Sequence, residues 1–377
     1  MIELSREQRD MIKTGTAEVQ LGKPLPWAIF DAKRRTLLRK GMVIATPAQL
    51  ALLADQAVYR GDEAPHHTSI EERNAAPFFI IGEMMGRLSA ILQAVAGRHP
   101  DFSPKRLDDL CIAMQVMCAE DADAALAAVH LDSDGKYAVR HLIHSALLVE
   151  LVTCRLGYLP DDRQRLIAAA LTANVGMLEL QERLLKQEDI TPEQRQEINR
   201  HCEESVALLR KAGVQDEFLL EIVMQHHERI DGAGYPRGLR GGEIHEGARI
   251  IALADIYHAK ISGRGHRSAL LPTQALRQML LGQGLGLDQE LAEVFIKELG
   301  VYPPGGFVRL SNGDVAVVTH RGQDGISPRV GSIITPRGTV YPRPVPRDIK
   351  NKEWTIKEIV VRDDTFLLTD LLPLWGY

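Results

Sequence analysis

Residues 226–236 read His-His-Glu-Arg-Ile-Asp-Gly-Ala-Gly-Tyr-Pro, and this stretch decides how the chain folds around its chemistry. Consecutive histidines on an α-helix point about 100° apart, so two of them cannot chelate one ion from mid-helix. At the end of a helix they can serve neighbouring ions. Gly232, Gly234 and Pro236 cannot continue a helix. The stretch therefore predicts a helix that ends near the histidines, followed by a tight loop that presents Tyr235.

The surrounding chain, from residue 78 to about residue 268, has the hydrophobic spacing of helices. A helix with His201 in its interior is marked at both ends. It is preceded by Thr191-Pro192-Glu193-Gln194, which combines an N-cap, a proline at the first helical position and a capping glutamine, and Gly213 stops it. Two other helices are predicted from apolar faces formed by Leu88, Ile91, Leu92 and Val95 and by Leu107, Leu110, Cys111, Met114 and Met117.

Both flanks of this helical region contain alternating stretches and turn residues, which are typical of strands. The N-terminal flank predicts a small β-rich module closed by a helix over Pro47–Val58. In the C-terminal flank, Phe307–Leu310 and Val315–Thr319 enclose Ser-Asn-Gly-Asp, a hairpin signal. We therefore expect a mainly α protein, a helical bundle with a β-rich module before it and a β-rich tail after it. The expected divisions are 1–62 for the module, 63–77 for a linker, 78–127 for a helical connector, 128–300 for the bundle and 301–377 for the tail.

Composition excludes several classes of protein. Hydrophobic residues make up 45% of the 377 residues, enough for a sizeable core. Because 45 Lys and Arg stand against 50 Asp and Glu, duplex nucleic acid is not an expected ligand. The four cysteines form no Cys-x-x-Cys pair, which favours reduced thiols. Residues 1–10 are charged throughout and we see no membrane-spanning run, so a cytoplasmic location is expected.

The stretch 226–236 resembles the HHExxDGxGYP signature of the HD-GYP family, bacterial phosphodiesterases that hydrolyse the second messenger cyclic-di-GMP. All eight fixed positions occur in order. So long a pattern is specific, whereas a lone His-His pair would be weak evidence. The resemblance covers roughly residues 130–345 and implies that the helical bundle is an HD domain, a metal-binding hydrolase fold used in signal transduction.

The resemblance also implies site residues. It places one arginine pair, Arg264 and Arg267, on the phosphates of the ligand. It associates the loop residues Asp231, Gly232, Gly234, Tyr235 and Pro236 with partner proteins, notably diguanylate cyclases. The metal ligands that it implies are His144, His201, His226, His227 and Asp255.

The chain departs from the family where the bridging His-Asp pair is expected. The family's Leu-His-Asp-Ile-Gly-Lys is replaced by Thr-Ala-Asn-Val-Gly-Met, so Ala173, Asn174 and Met177 occupy the His, Asp and Lys positions. Alanine offers no lone pair, and a neutral amide is a poor bridge between two cations. Four residues before His144, where many members carry a further carboxylate, this chain has Arg140.

Three functions remain open. The first is a degenerate HD-GYP regulator, a pseudo-enzyme that binds cyclic-di-GMP or a related cyclic dinucleotide, a partner protein, or both, with little or no hydrolysis. The second is an active phosphodiesterase with a rearranged metal site. The third is an interaction scaffold that binds no nucleotide. The imidazoles of His201, His226 and His227 can together hold one transition-metal ion (Fe, Mn, Ni or Zn). The alternative is that no metal is bound. The sequence neither requires nor excludes a homodimer.

Overall fold

The computed structural model describes residues 76–97, 102–132, 134–185, 187, 189–263, 269–282, 284–322, 327–361 and 371–377, with short segments among the first 61 residues. The chain divides into two compact units. One comprises Met1–Ser69 with Thr339–Pro344, and the other comprises Ile70–Gly338 with Val345–Tyr377.

The described part of the first unit is an antiparallel sheet, as the alternating pattern of the N-terminal flank predicts. Its strands lie in the order β1, β4, β2, β3. Most of the helix expected over Pro47–Val58 lies outside the described residues, and Val58 begins a strand. The bounds are β1 (Ile12–Thr14), β2 (Ala28–Phe30), β3 (Thr36–Leu38) and β4 (Val58–Gly61).

The second unit is mainly helical, as expected. Its helices are α1 (Pro77–Val95), α2 (Pro104–Glu120), α3 (Ala122–Leu131), α4 (Tyr137–Arg155), α5 (Pro160–Thr172), α6 (Leu178–Leu184), α7 (Pro192–Lys211), α8 (Glu217–Gln225), α9 (Glu246–Ile261), α10 (Pro272–Leu280) and α11 (Gln289–Leu299).

Helix α4 lies at the centre of this unit. It is buried on almost every side and packs against α5, α9 and α1. Apolar residues on all sides are what a helix enclosed by other helices requires. Every residue of the two apolar faces recognised in the sequence is also buried, on α1 and α2. Because α4 and α9 pack side by side, polar residues on their shared faces are held inside the protein.

Local sequence signals set where α7 and α8 begin, and these two helices bring histidines into the interior. Thr191 and Gln194 form the predicted capping box, so α7 begins at Pro192 and projects His201 inward. Asp216 caps α8 by accepting the backbone N–H groups of Phe218 and Leu219. That helix ends at Gln225, which confirms that the adjacent histidines follow a helix end.

The C-terminal tail contains the predicted hairpin. Strands β5 (Phe307–Leu310) and β6 (Val315–His320) pair antiparallel, with β7 (Arg329–Ile334) beside β6 and β9 (Ile356–Val360) beside β5. Strand β8 spans Val340–Arg347. The sheet has its own core, formed by Val308, Leu310, Ala316, Val318 and Val330.

One helix within the described residues, α1, is long and apolar enough to cross a membrane by length and composition alone. The expectation that no such run exists was therefore too strict. Its side chains Ile81, Met84, Leu88 and Leu92 are at most 1% exposed inside the protein. The core helix of a globular domain has the same length and composition.

Candidate metal and nucleotide site

Three histidines converge where the end of α8 meets the middle of α7. One potential ligand atom from each of His201, His226 and His227 lies within 4.8 Å of the other two. The Nε2 atoms of His201 and His226 are 3.3 Å apart. Two nitrogens bound to one tetrahedral zinc at about 2.0–2.1 Å are separated by roughly 3.3–3.4 Å, so this spacing suits a shared ion.

Backbone carbonyls fix the orientation of two of these rings. The Nδ1 atom of His201 lies 2.5 Å from the carbonyl oxygen of Ile198, and that of His226 lies 2.7 Å from the carbonyl oxygen of Val223. A carbonyl only accepts hydrogen bonds, so Nδ1 carries the hydrogen in both rings and the Nε2 lone pairs point at each other. A hydrogen bond from the second ring nitrogen to a carbonyl is typical of histidines that bind metals.

The protonation of these rings also suits metal binding. Burial, aided by the charge of His226, lowers the pKa of His201 to about 3. Burial, aided by the charge of His227, lowers the pKa of His226 to about 3. Both rings are therefore neutral at pH 7, as metal ligands must be. The nearby Cys202 thiol stays protonated, because burial raises its pKa.

The Ala-Asn pair lies next to this triad, as its match to the family's His-Asp pair implies. Asn174 follows the end of α5 and is 1% exposed, and its Oδ1 lies 3.3 Å from Nε2 of His226. Ala173, which is 3% exposed, is also buried and brings no polar side-chain atom. The neighbouring Gly176 lies so close to α7 that an added Cβ would be 2.8 Å from the carbonyl oxygen of His201. Position 174 is thus held against the histidines, but it supplies an amide where a carboxylate is expected.

Asp255 belongs to a second group of polar side chains, which come from α4 and α9 and are distinct from the histidine triad. Its Oδ1 is 2.7 Å from Nε2 of His141. Burial alone would raise the pKa of Asp255, but the electrostatic effect of His141 and its hydrogen bond, with smaller effects of His227 and His226, lower it below its usual value. The aspartate is therefore ionised and faces both α4 and the triad.

The histidine of α4 that contacts Asp255 is His141, whereas His144, the ligand inferred from the sequence, contacts His258. Nδ1 of His141 lies 2.8 Å from Nδ1 of His258, whose Nε2 lies 3.0 Å from Nδ1 of His144. Nε2 of His144 in turn lies 3.7 Å from Oδ2 of Asp132. The side chains form a chain between two carboxylates rather than a cage around one point.

The residues one helical turn before His141 and His144 carry no carboxylate. Four residues before His141 is Tyr137, whose ring stacks on that of His141 with centroids 5.5 Å apart. Arg140 instead donates to the carbonyl oxygen of Asp134, 3.0 Å away. No carboxylate stands one helical turn before either histidine.

The loop of residues 229–240, here called the Gly-Tyr-Pro loop, is closed by the buried carboxylate of Glu228. Oε1 of Glu228 accepts the backbone N–H of Arg237 at 2.7 Å, and Oε2 accepts that of Leu239 at 3.0 Å. Gly232 has a φ of +79°, which a residue with a side chain rarely adopts. The ring of Tyr235 stacks on His227, with centroids 4.9 Å apart. The loop therefore forms one wall of the histidine triad.

The sequence reasoning missed His141 and His258, and it named Arg264 and Arg267, which lie outside the described residues. A signal for the missed pair existed. His141 precedes His144 by three positions, and His258 follows Asp255 by three positions. Residues three apart share a helix face, so these pairs could have been expected to face the same cavity.

Comparisons with known proteins agree with this architecture. The family model described as HD domain matches residues 125–291. The cyclic di-GMP phosphodiesterase PA4108 of Pseudomonas aeruginosa is 29% identical over 230 residues, which cover 60% of this chain and 54% of that protein. The 3'3'-cGAMP-specific phosphodiesterase 1 of Vibrio cholerae is 29% identical over 181 residues, which cover 48% of this chain and 42% of that protein.

A solved structure shares the fold. Bd1817, a HDG"Y"P protein from Bdellovibrio bacteriovorus, superposes with a TM-score of 0.50 at 16% identity, covering 76% of this chain and 98% of that one. The match to the first curated relative spans about half of that protein's length. The family match identifies an HD domain over residues 125–291, and the chain is similar to cyclic di-GMP phosphodiesterases and shares the fold of a HDG"Y"P protein.

Proposed function

We propose that this protein is a degenerate HD-GYP regulator that binds cyclic-di-GMP or a related cyclic dinucleotide at the histidine triad and hydrolyses it weakly or not at all. The observation that carries the proposal is the Asn174 amide, 3.3 Å from Nε2 of His226, with Ala173 beside it. A two-metal hydrolase holds its ions about 3.5–4 Å apart. Without a carboxylate at this point, the repulsion between two such cations is not offset.

The residues that would hold a metal are His201, His226 and His227. Three neutral imidazoles suit one Zn, Ni, Fe or Mn ion with a position left for another ligand. A bound ion would supply a Lewis acid for a phosphate oxygen. The protein itself fixes the ligand nitrogens through backbone carbonyls and keeps them neutral by burial.

A specific observation favours the second candidate, an active phosphodiesterase with a rearranged metal site. The face between α4 and α9 carries His141, His144 and His258 together with Asp255. These imidazoles are additional to the triad and could take over part of what Ala173 cannot provide. Turnover of the dinucleotide decides between the two candidates.

The Gly-Tyr-Pro loop supports a role in partner binding, with diguanylate cyclases as the partner class that the family implies. Asp231 accepts from Arg229 at 2.6 Å and from the backbone N–H of Ala233 at 2.9 Å, which orders the exposed side of the loop. An ordered exposed loop can be recognised without a large ordering cost. If nucleotide binding is not found, this loop would be the basis of a scaffold function.

The test combines calorimetry with cyclic-di-GMP and turnover assays in the presence of manganese and of iron. We expect micromolar or tighter binding and no measurable turnover by the natural chain. We expect the double variant Ala173→His and Asn174→Asp to gain turnover, because it restores an imidazole and a bridging charge. Brisk turnover by the natural chain would establish the active enzyme instead, and absence of binding would leave only the scaffold.

A further test uses the arginines that the family places on the phosphates. The double variant Arg264→Ala and Arg267→Ala should weaken nucleotide binding strongly, since charge-assisted hydrogen bonds to phosphate are lost. Unchanged affinity would assign the phosphate contacts to other residues.

A further inference from the structure

Three large apolar side chains are exposed where α2 meets the start of α5. Ile112 is 47% exposed, Val116 is 52% exposed and Leu159, which immediately precedes α5, is 68% exposed. Ile112 and Val116 are four residues apart on α2, so they lie on one face of that helix. A helix face that is only solvated carries polar residues at such positions. We call these three residues the α2–α5 patch.

Contacts between the two helices hold the parts of the patch next to each other. Helices α2 and α5 pack against one another. Nε2 of Gln115 donates to the carbonyl oxygen of Pro160 at 2.9 Å, which ties the start of α5 to the middle of α2. Nearer the start of α2, Nε2 of Gln164 donates to Oδ1 of Asp108 at 3.3 Å. Single exposed apolar residues are ordinary, whereas adjacent ones on a fixed surface indicate an interaction site.

Carboxylates flank the apolar pair on α2. Asp108 lies four residues before Ile112, and Glu120 lies four residues after Val116, and both carboxylates are exposed. Residues at intervals of four follow one line along a helix. The exposed face of α2 therefore carries an acidic, two apolar and an acidic side chain in succession.

The first turn of α5 adds Asp161 and Asp162 beside the patch. The cation that follows them, Arg163, does not offset this charge, because its Nη1 donates to Oε1 of the buried Glu150 at 2.7 Å. The Lys-Arg pair at residues 105–106 lies in the first turn of α2, at the far end of the helix line. The immediate surroundings of the patch are therefore acidic, and a partner with positive charge complements them.

These carboxylates also decide against a second copy of this chain as the occupant. If two α2 helices met antiparallel at this face about a twofold axis, Asp108 of one copy would lie opposite Glu120 of the other. A parallel arrangement would place each carboxylate opposite its own equivalent. Like charges brought together at an interface oppose association. The charge pattern thus favours a different, basic partner.

We propose that the α2–α5 patch is a docking site for a basic amphipathic helix of a partner protein. The apolar face of that helix covers Ile112, Val116 and Leu159, and its lysines or arginines lie opposite the surrounding carboxylates. Leu159 and Ala173 lie at opposite ends of α5, whose 13 residues separate them by about 20 Å. The docking site is therefore distinct from the histidine triad and does not depend on nucleotide binding.

The test measures, by fluorescence anisotropy, how the full-length chain binds a labelled helical peptide. The probe is a peptide of about four turns with leucines at i, i+3, i+4 and i+7 and lysines on the other faces, and its counterpart carries glutamates in place of the lysines. We expect the lysine peptide to bind with an affinity in the micromolar range that weakens as salt is added. The glutamate peptide should not bind measurably.

The double variant Ile112→Gln and Val116→Gln removes the apolar pair. It should weaken binding of the lysine peptide by at least about tenfold, since two apolar contacts are lost. The matched control is Leu280→Gln and Leu281→Gln, an apolar pair at the end of α10 that is 49% and 55% exposed. The control should bind like the natural chain, and thermal unfolding of each variant checks that the fold is kept.

A second double variant, Asp108→Asn and Glu120→Gln, addresses the charge of the partner. It should weaken binding of the lysine peptide by about 2- to 10-fold and reduce its salt dependence. Tighter binding of the glutamate peptide, or no change in this variant, would refute the basic partner. Equal binding of the lysine peptide by the variant without the apolar pair and the natural chain, or no binding by the natural chain, would overturn the docking site. A natural chain that sediments as a dimer and becomes a monomer when the apolar pair is removed would assign the patch to a second copy instead.

Discussion

Glu228→Gln is the substitution whose effect the structure specifies most closely. The Glu228 side chain is 4% exposed, and its two oxygens accept the N–H groups of Arg237 and Leu239. A glutamine can keep one of these bonds but turns an NH₂ group toward the other N–H. The loop then loses a charge-assisted bond of about 1.5–3 kcal/mol, and a partly buried N–H is left without its acceptor at a cost of about 1–3 kcal/mol.

Because the two costs overlap, we expect the loop to open more easily by about 2–4 kcal/mol. Each 1.4 kcal/mol corresponds to a factor of ten, so hydrogen exchange over residues 229–240 should accelerate by roughly 30- to 1,000-fold. Mass spectrometry of the peptide that contains this loop measures the effect, with residues 77–95 of α1 as an internal reference.

The matched control is Glu243→Gln. Glu243 also accepts a backbone N–H, that of Arg240 at 2.8 Å, but it is exposed to solvent. Water can replace its bond, so exchange should change by less than about threefold. Equal acceleration in both variants, or no acceleration in Glu228→Gln, would refute the argument that one buried carboxylate closes the loop.

Three further predictions concern the histidines and position 174. His226→Ala should lower the bound transition metal per chain at least about tenfold, measured by elemental analysis, whereas His320→Ala should not; retained metal would place the ion elsewhere. Asn174→Asp should raise the affinity for zinc or manganese by about 10- to 100-fold in calorimetry, with exposed Asn351→Asp as a neutral control; an unchanged affinity would remove position 174 from the site. Burial lowers the pKa of His130 from 6.5 to about 4. As the pH falls, the unfolded chain therefore takes up this proton before the folded chain does, and the free energy of unfolding decreases below pH 6.5. From pH 8 to pH 5 the contribution of His130 is roughly 2 kcal/mol, so the variant His130→Gln should lose about 2 kcal/mol less stability over this range in urea unfolding than the natural chain; an equal loss in the two proteins would assign the pH dependence to other groups.

Local signals in the sequence were sufficient for the elements that carry the triad. The capping box at Thr191 and Gln194 set the start of α7, and the His-His-Glu stretch followed by glycines set the end of α8. These signals are readable because caps and turns depend on residues within a few positions of one another. The same is true of the hairpin at residues 307–319.

Only the tertiary structure decided which polar side chains of α4 and α9 contact one another. Whether His141 or His144 meets Asp255 depends on how the two helices are rotated against each other, and a sequence pattern leaves that rotation open. His258 was missed for the same reason, since it contributes through contacts with another helix.

The sequence alone indicated the resemblance to the family, the helical fold and the presence of an amide at position 174, because these depend on residue identity and local spacing. The tertiary structure decided which histidines are neighbours, how the loop is closed by Glu228 and which exposed apolar side chains lie together where α2 meets α5. Those features arise from contacts between residues far apart in the chain, whose geometry is fixed only when the helices pack.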